Sequence, residues 1–551
     1  MTICRPQGGV APKRHVQLNL LLQFLWPPRR CPPTSSYCSL AFVPIITGLR
    51  EYAETLEAGA VPKPHSLKRR GGDGGAGGQW VADVFPLGLE SLLFGGFRGE
   101  VWIEPGEEPT QGALYRAGGA SGAAAQGGVG VVLGAGNQTP VVALDILHVL
   151  VAQNMVVACK MNPVNEYAGP FLRRALAPLA AAGFLEFLYG GAAVGAALCA
   201  HPAAAAVHLT GSAATHDAIV WQGRPKEAEP PLATPCSAEL GCVTPYIIVP
   251  GPWSDADLEY HADSVATGLT HNAGHNCLKA EVVVTDAEWP LRGKFLEALR
   301  RRLAAAPNRV SFYPGSGHRA AAFLKRFPDA EQIGGGTVEG ADGALLAKPP
   351  PAADGQEGAG GPVDARQLPW LLKTGLAPEE AATRDENWCG VLQEVELRGC
   401  GGGAAAFLPA ATRFANERCW GTLSCALFVH PATRAAHPGE VDAALGALRY
   451  GTICVNVPGN VGFALTKLGW GAYGRGGSPQ DIGSGNCKVH NTLLFDHVQK
   501  SVVHGPWCFH PFPFWLTSNR NAEEVARLAL QFLAAPSLGR ATPLAAAALR
   551  G

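Results

Sequence analysis

The sequence predicts an α/β fold built on a parallel sheet, and three observations carry that reading. Between Gly128 and Pro252 short apolar runs alternate with segments of helical pattern. The runs are apolar throughout rather than at every second residue, the pattern of strands covered on both faces. Several are followed at once by glycine or a polar residue, at the strand ends where open α/β sheets bind ligands.

The elements are read in chain order. Val129–Leu133 is a buried strand closed by Gly134-Ala135-Gly136-Asn137. Thr139 and Pro140 suit the N-cap and first position of a helix whose pattern covers Val141–Ala152. Met155–Cys159 is a second strand ending at Lys160, Pro170–Ala182 a helix, Phe184–Phe187 a strand and Ala192–Cys199 a helix. Val207–Leu209 is a strand, Ser212–Trp221 helical, and Tyr246–Val249 a strand again. Asn137, Lys160 and Gly211-Ser212 all stand just past strands, which places them on one edge. Asp255–Thr270 is an amphipathic helix, so Cys277, in His271-Asn-Ala-Gly-His275-Asn-Cys277, falls on the loop beyond it. Glu239, in Ser237-Ala-Glu239-Leu-Gly241, reads as a loop residue before the strand at Tyr246.

Composition bounds the remaining possibilities. At 551 residues the chain suits two to four domains. Lys+Arg number 44 against Asp+Glu 45, so no basic excess exists to grip nucleic acid or an anionic membrane. Hydrophobic residues at 47% and charged residues at 16% exclude wholesale disorder. The 15 cysteines contain no CxxC pair, so zinc spacing is missing and free thiols in a reducing compartment are expected. His271 and His275 near Cys277 lack a fourth ligand for a metal. No apolar run is long enough to span a bilayer; Leu18–Trp26 is interrupted by Asn19 and Gln23. The first 50 residues carry Arg5, Lys13, Arg14, Arg29, Arg30 and Arg50 but no acid. They read as a transit peptide, a poorly ordered tail or a misassigned start, and the location as cytoplasm or an organelle matrix. The glycine-rich tracts Gly71–Gly78, Gly118–Gly128 and Pro349–Gly361 read as loops or insertions.

Asn137, Lys160, Gly211-Ser212, Glu239-Leu-Gly241, Cys277 and Glu386-Asn-Trp388 stand in a particular order and spacing. Twenty-three residues separate Asn137 from Lys160, and 38 separate Glu239 from Cys277. Together with Gly421–Phe428 and Gly451–Asn456, this text resembles a divergent branch of the aldehyde dehydrogenase superfamily from about Trp80 to Ser484. The resemblance implies an N-terminal extension at 1–50 and a Rossmann-type NAD(P) domain at 51–241. A catalytic α/β domain at 242–465 and a return with an oligomerisation tail at 466–551 complete the implied plan. Asn491–Phe495 would be the strand that pairs subunits into a homodimer or homotetramer. Trp515–Ala534, of helical periodicity, would serve packing or assembly.

The resemblance also implies roles. Cys277 would be the nucleophile, the Asn137 amide and the Cys277 backbone N–H the oxyanion donors, and Glu239 the base for hydrolytic water. Lys160, Gly211, Ser212, Glu386 and Trp388 would bind NAD or NADP. A helix end nearby, with no local carboxylate, would lower the thiol pKa. Three positions depart from the family: Pro163 where a carboxylate marks NAD preference, His216 for a glycine, and His275 for a glutamine two residues before the thiol. The expected reaction is oxidation of an aldehyde to an acid. The rivals are a coenzyme A-acylating relative, a catalytically idle binding protein, and an esterase. Pro314–Gly317 and Gly474–Gly477 read as plain turns.

Overall fold

The computed structural model describes residues 43–58, 62–71, 78–92, 94–113, 127–226, 229–336, 338–339, 345–347 and 367–550. Most of the basic N-terminal segment, most of the first two glycine-rich tracts and all of Pro349–Gly361 lie outside the described residues. Among the described residues no helix is long and apolar enough to cross a membrane, and the cysteines are free thiols.

Two sheets organise the chain. The smaller is five-stranded and parallel, in the order Leu185–Leu188, Val156–Lys160, Val129–Leu133, Ala204–Gly211, Cys236–Leu240. Its central strand shows why the apolar runs lack alternation. Val132 packs into a cluster with Val142, Ile146 and Leu172, whereas Val131 and Leu133 pack with Leu209 and Leu240 on the other face. Both faces are dry, so every position is apolar. In register, Leu133 lies opposite Lys160 and Leu209, and Thr210 opposite Glu239. The strand ends therefore share one edge.

Glu239 differs from the expectation here. It lies inside the strand Cys236–Leu240, not on a loop. The strand Thr244–Ile248, three residues on, belongs to the other sheet. The helix after Asn137 also starts earlier, at Thr139 with Gln138 as N-cap, and ends at Leu147; a π-helical turn, His148–Ala152, completes the predicted run.

The larger sheet has eleven strands. Seven are mutually parallel, in the order Val498–His504, Thr452–Val455, Ser424–Phe428, Thr244–Ile248, Ala280–Asp286, Val391–Leu397, Trp370–Leu376. Antiparallel strands flank them: Arg98–Ile103, Gln79–Phe85 and Ser66–Arg70 at one edge, Glu331–Ile333 at the other. Gly451 leads into a central strand at a point where a Cβ would overlap the Gly471 carbonyl, a backbone group that cannot step aside. Gly451→Ala is expected to cost about 2 kcal/mol or more, read as a lower denaturant midpoint at unchanged slope.

The proposed pairing strand needs correction. Asn491–Phe495 is a turn: the Asn491 side chain donates to the Phe495 carbonyl at 2.8 Å and accepts from the Phe495 amide at 3.0 Å. Asn491 and Leu494 both have positive φ. A segment closed on itself has no ladder groups to offer another chain, and Leu493, Leu494 and Phe495 are buried in this one. The strand instead begins at Val498 and pairs within the chain, with Arg98–Ile103 and Thr452–Val455. The last forty residues form two helices, Ala522–Ala534 and Leu538–Ala548. Their apolar stripe packs inward: Val525, Phe532, Leu533, Leu544 and Ala547 form one cluster. The N-terminal helix Val43–Ala58 packs against the first of the pair.

Candidate active site

A cavity of about 600 Å³ opens along the strand-end edge of the small sheet, closed by the segments at Cys277, Tyr313 and Glu386. All eight residues singled out from the sequence line it: Asn137, Lys160, Gly211, Ser212, Glu239, Cys277, Glu386 and Trp388. They come from six separate stretches of chain.

Cys277 reaches the cavity through a tight reversal. Ser254 and Asp257 form a reciprocal cap that starts the helix Asp255–Thr270. Past its end, Asn272 and Ala273 adopt left-handed backbone angles, and Gly274 passes so close to the Cys389 carbonyl that a Cβ would sit 2.6 Å from it. Asn276 pins the loop by donating to the His271 carbonyl at 2.8 Å. His275, in the glutamine's place, points away from the thiol. Its Nε2 is 2.9 Å from Ser316 Oγ and its ring packs edge-on to Phe312. Burial, then the Lys279 and Arg319 charges, hold its pKa down at about 3, so it is a neutral structural imidazole.

The thiol is half-buried, with its free face toward the cavity. Protein surrounds it, and this burial, followed by the Glu239 and Glu386 carboxylates, drives its pKa well above the ordinary range; only its own backbone N–H favours the thiolate. The expectation of a lowered pKa is therefore overturned for the free chain. The carboxylate nearest in sequence, Glu281, is paired with Lys279, and the two that act on the thiol arrive from distant segments.

Glu239 is buried and accepts a hydrogen bond from Trp470 Nε1 at 3.0 Å. Burial, then the Asp145 charge, raises its pKa to about 8, against the opposing pull of the Trp470 N–H and of His208. Burial disfavours charge on His208 as well, yet the Asp145 carboxylate, 3.4 Å away, raises its pKa to about 10. Trp470→Phe removes a donor to the ionised form and is expected to move any Glu239-dependent pH profile upward by about one unit. A profile that stays in place would show that this hydrogen bond does not set the pKa.

Asn137 Nδ2 donates to the His275 carbonyl at 3.0 Å, and Asn272 donates to the Asn137 carbonyl at 3.0 Å. One of the two amide hydrogens of Asn137 is thus committed to holding the thiol loop, and a second remains for the cavity.

The other residues form the long arm of the cleft. Lys160 ends its strand, largely buried, with no hydrogen bond or ion pair to its ammonium among the described residues. Burial lowers its pKa, partly offset by the Glu166 carboxylate. Ser212 is the N-cap of the helix Ala213–Val220 and accepts from the Thr215 amide at 3.2 Å; the amides before it have no intrahelical partner. Glu386 stands against Gly241 so closely that a Cβ at 241 would overlap its carboxylate as it is placed. Burial, then the Glu281 charge, holds the Glu386 pKa well above normal. Trp388 is half-buried; its Nε1 has no hydrogen-bond partner among the described residues, and its ring meets Tyr313 edge-on at 5.7 Å.

Three contributors escaped the sequence reading. Tyr313 and Arg319 line the cavity from the start of the helix Ser316–Arg326. Lys279, fully buried, donates to the carbonyls of Asn387, Cys389 and Val391 at 2.7 to 3.2 Å and pairs with Glu281 at 2.8 Å. It ties the thiol segment to the Glu386 loop. A lysine and a glutamate two apart where an apolar strand begins, Lys279-Ala-Glu281, are the available signal: two such charges cannot be buried unpaired.

Residues 138–309 match the aldehyde dehydrogenase family. No curated protein sequence matches the chain. Among solved structures, the chain is similar to an aldehyde dehydrogenase of Mycobacterium tuberculosis complexed with NAD+, at TM-score 0.55 and 16% identity over 90% of this chain and 86% of that one. It is similar to a salicylaldehyde dehydrogenase from Pseudomonas putida G7 complexed with salicylaldehyde, at 0.54 and 14% over 91% and 87%. Lactaldehyde dehydrogenase from Escherichia coli follows at 0.53 and 15% over 90% and 86%. These likenesses show the fold.

Proposed function

We propose that the chain is a member of the aldehyde dehydrogenase superfamily that oxidises an aldehyde to a carboxylic acid with NAD or NADP, a reading supported by the family match over residues 138–309. The observation that carries the proposal is the shared cavity: thiol 277, carboxylate 239 and amide 137 line the same space as Lys160, Ser212 and Glu386.

The residues present fit a dinucleotide. Lys160 offers an unpaired ammonium at a strand end, where an adenosine ribose, with or without a 2′-phosphate, would find it. The amides opening the helix at Ala213 suit a pyrophosphate. Glu386 would hold the second ribose, and the partnerless Trp388 Nε1 leaves a donor in the cleft. Pro163, with Glu166 as the nearest acid, places no carboxylate at the position that would repel the phosphate of NADP. A bound nicotinamide would supply the hydride acceptor and, when oxidised, a positive charge close to the thiol.

The chain's own groups then act in sequence. Cys277 Sγ attacks the carbonyl carbon as its proton passes to the ionised Glu239 carboxylate, which returns it to solvent, giving a thiohemiacetal whose oxygen carries the negative charge. The oxyanion accepts hydrogen bonds from the free N–H of Asn137 and the Cys277 amide. After loss of hydride the carbon is a thioester. Glu239, ionised, takes a proton from water as its oxygen adds to that carbon; the C–S bond breaks and the acid leaves. Glu239 favours this hydrolytic route over transfer to coenzyme A. The measurement is appearance of reduced cofactor with a panel of aldehydes, NAD and NADP, with and without coenzyme A. Aldehyde-dependent reduction indifferent to coenzyme A is expected. Acceleration by coenzyme A would favour the acylating reading. Silence with every aldehyde, and no rise in melting temperature with either dinucleotide, would favour an idle relative.

A further inference from the structure

Lys279 stands two residues past the thiol, wholly buried, and does not itself line the cavity. Its ammonium is ringed by four oxygens. Three are the carbonyls of Asn387, Cys389 and Val391, at 2.7, 3.0 and 3.2 Å, and the fourth is a Glu281 carboxylate oxygen at 2.8 Å. The backbone that supplies the carbonyls bends in two successive three-residue turns. The Cys389 amide donates to the Asn387 carbonyl at 2.5 Å, and the Val391 amide to the Cys389 carbonyl at 2.8 Å. Trp388 is the middle residue of the first turn and Glu386 leads into it; both line the cavity.

Carbonyl dipoles that converge on one buried spot repel one another, and leaving them there unpaired is costly, so these turns keep their shape around a cation. Two further contacts hold the same stretch. The Asn387 side chain donates to the other Glu281 oxygen at 3.4 Å. From the thiol side, Gly274 lies so near the Cys389 carbonyl that a Cβ would come within 2.6 Å of it. The thiol loop and the turn at Glu386–Trp388 are thus joined through one side chain. Lys160 and Ser212 belong to the small sheet and the helix after it, whereas the turn leads into the strand Val391–Leu397 of the large sheet.

We infer that Lys279 is a positioning residue for the nicotinamide half of the dinucleotide: its ammonium gives the turn the shape that presents Glu386 and Trp388 to the cleft, and without it the cleft holds the adenosine half alone. The inference rests on the dinucleotide reading above and adds to it a group that touches neither cofactor nor substrate.

The test replaces the buried pair together, as Lys279→Met with Glu281→Met, because hydrocarbon of similar volume in place of a buried ion pair usually leaves a protein folded. Lys279→Met alone, in which Glu281 can stay buried as the neutral acid, is the second variant and is expected to behave alike. Calorimetric titration compares the tighter of NAD and NADP with its adenosine half, ADP or 2′-phospho-ADP, which lacks the nicotinamide riboside. The variants should bind the dinucleotide about tenfold more weakly than the parent and the half within about twofold of it. Glu386→Gln should weaken the dinucleotide by a similar factor and add little to the pair variant, since Lys279 acts through that carboxylate. With no dinucleotide present, the Cys389 and Val391 amides should exchange with deuterium about tenfold faster in the pair variant, while those of Val131–Leu133 keep their rates. Unchanged dinucleotide affinity, equal loss of dinucleotide and half, full additivity with Glu386→Gln, or unchanged exchange at Cys389 and Val391 overturns the inference while dinucleotide binding stands. A parent protein that binds neither dinucleotide overturns the cofactor reading, and this inference with it.

Discussion

Cys277→Ala is expected to reduce aldehyde-dependent cofactor reduction to background, a fall on the order of 10⁴ or more, because the covalent route has no substitute. Other thiols are close but poorly placed. Cys242 packs in the same small cluster, yet it is fully buried, its Sγ lies 3.1 Å from Thr244 Oγ1, and burial above all holds its pKa up at about 11. Cys487 belongs to that cluster too, but its Sγ is engaged at 3.3 Å with the Ala238 carbonyl and it does not line the cavity. The substitution removes one half-buried sulfur, so melting temperature should scarcely change. Full dehydrogenase rate in a folded Cys277→Ala protein would end the assignment.

Glu239→Gln is expected to permit one burst of reduced cofactor, about one equivalent per chain, and then to slow steady turnover by about 10²–10⁴. The amide keeps shape and can still meet the Trp470 N–H, but it cannot take a proton from water. The sign of the pH dependence follows from the raised carboxyl. Folded, Glu239 holds its proton up to about 8, against an ordinary value of 4.5. The base form, and with it thioester hydrolysis, is therefore lost as pH falls through about 8. Stability runs the other way. Between 4.5 and 8 the unfolded chain releases this proton and the folded chain does not, so this group's contribution to stability declines as pH rises. Glu239→Gln should abolish both trends, leaving the variant no less stable than the parent at high pH. Rapid-quench kinetics and melting across pH separate this from simple misfolding. An unchanged steady rate would remove Glu239 from the hydrolytic step.

The parts of the site legible from the chain were those that depend on local pattern. Val129–Leu133 reads as a doubly covered strand because each of its side chains meets hydrocarbon. Lys160 and Gly211 read as edge residues because a parallel register brings strand ends together. Spacing then nominated Cys277, Glu239 and Glu386, which line one cavity. The failures share a cause as well. Glu239 in Ser-Ala-Glu-Leu looks like a solvated loop residue, whereas its strand is buried and its carboxylate meets Trp470, 231 residues away. The β-prone side chains of Asn491–Phe495 suggest a strand, but the Asn491 amide closes a turn that propensity does not register. Sequence neighbours do not describe the thiol's surroundings, because the decisive carboxylates lie 38 residues before it and 109 after.

Periodicity by itself determined the α/β class and the sheet edge at which the strand ends meet, and the order of the motifs nominated the candidate groups by resemblance. Those depend on which side chains recur at which step, a property of the linear text. Tertiary structure alone decided how charged those groups are and what holds them. Desolvation and Coulomb energies depend on distances between segments hundreds of residues apart, and no local pattern contains those distances.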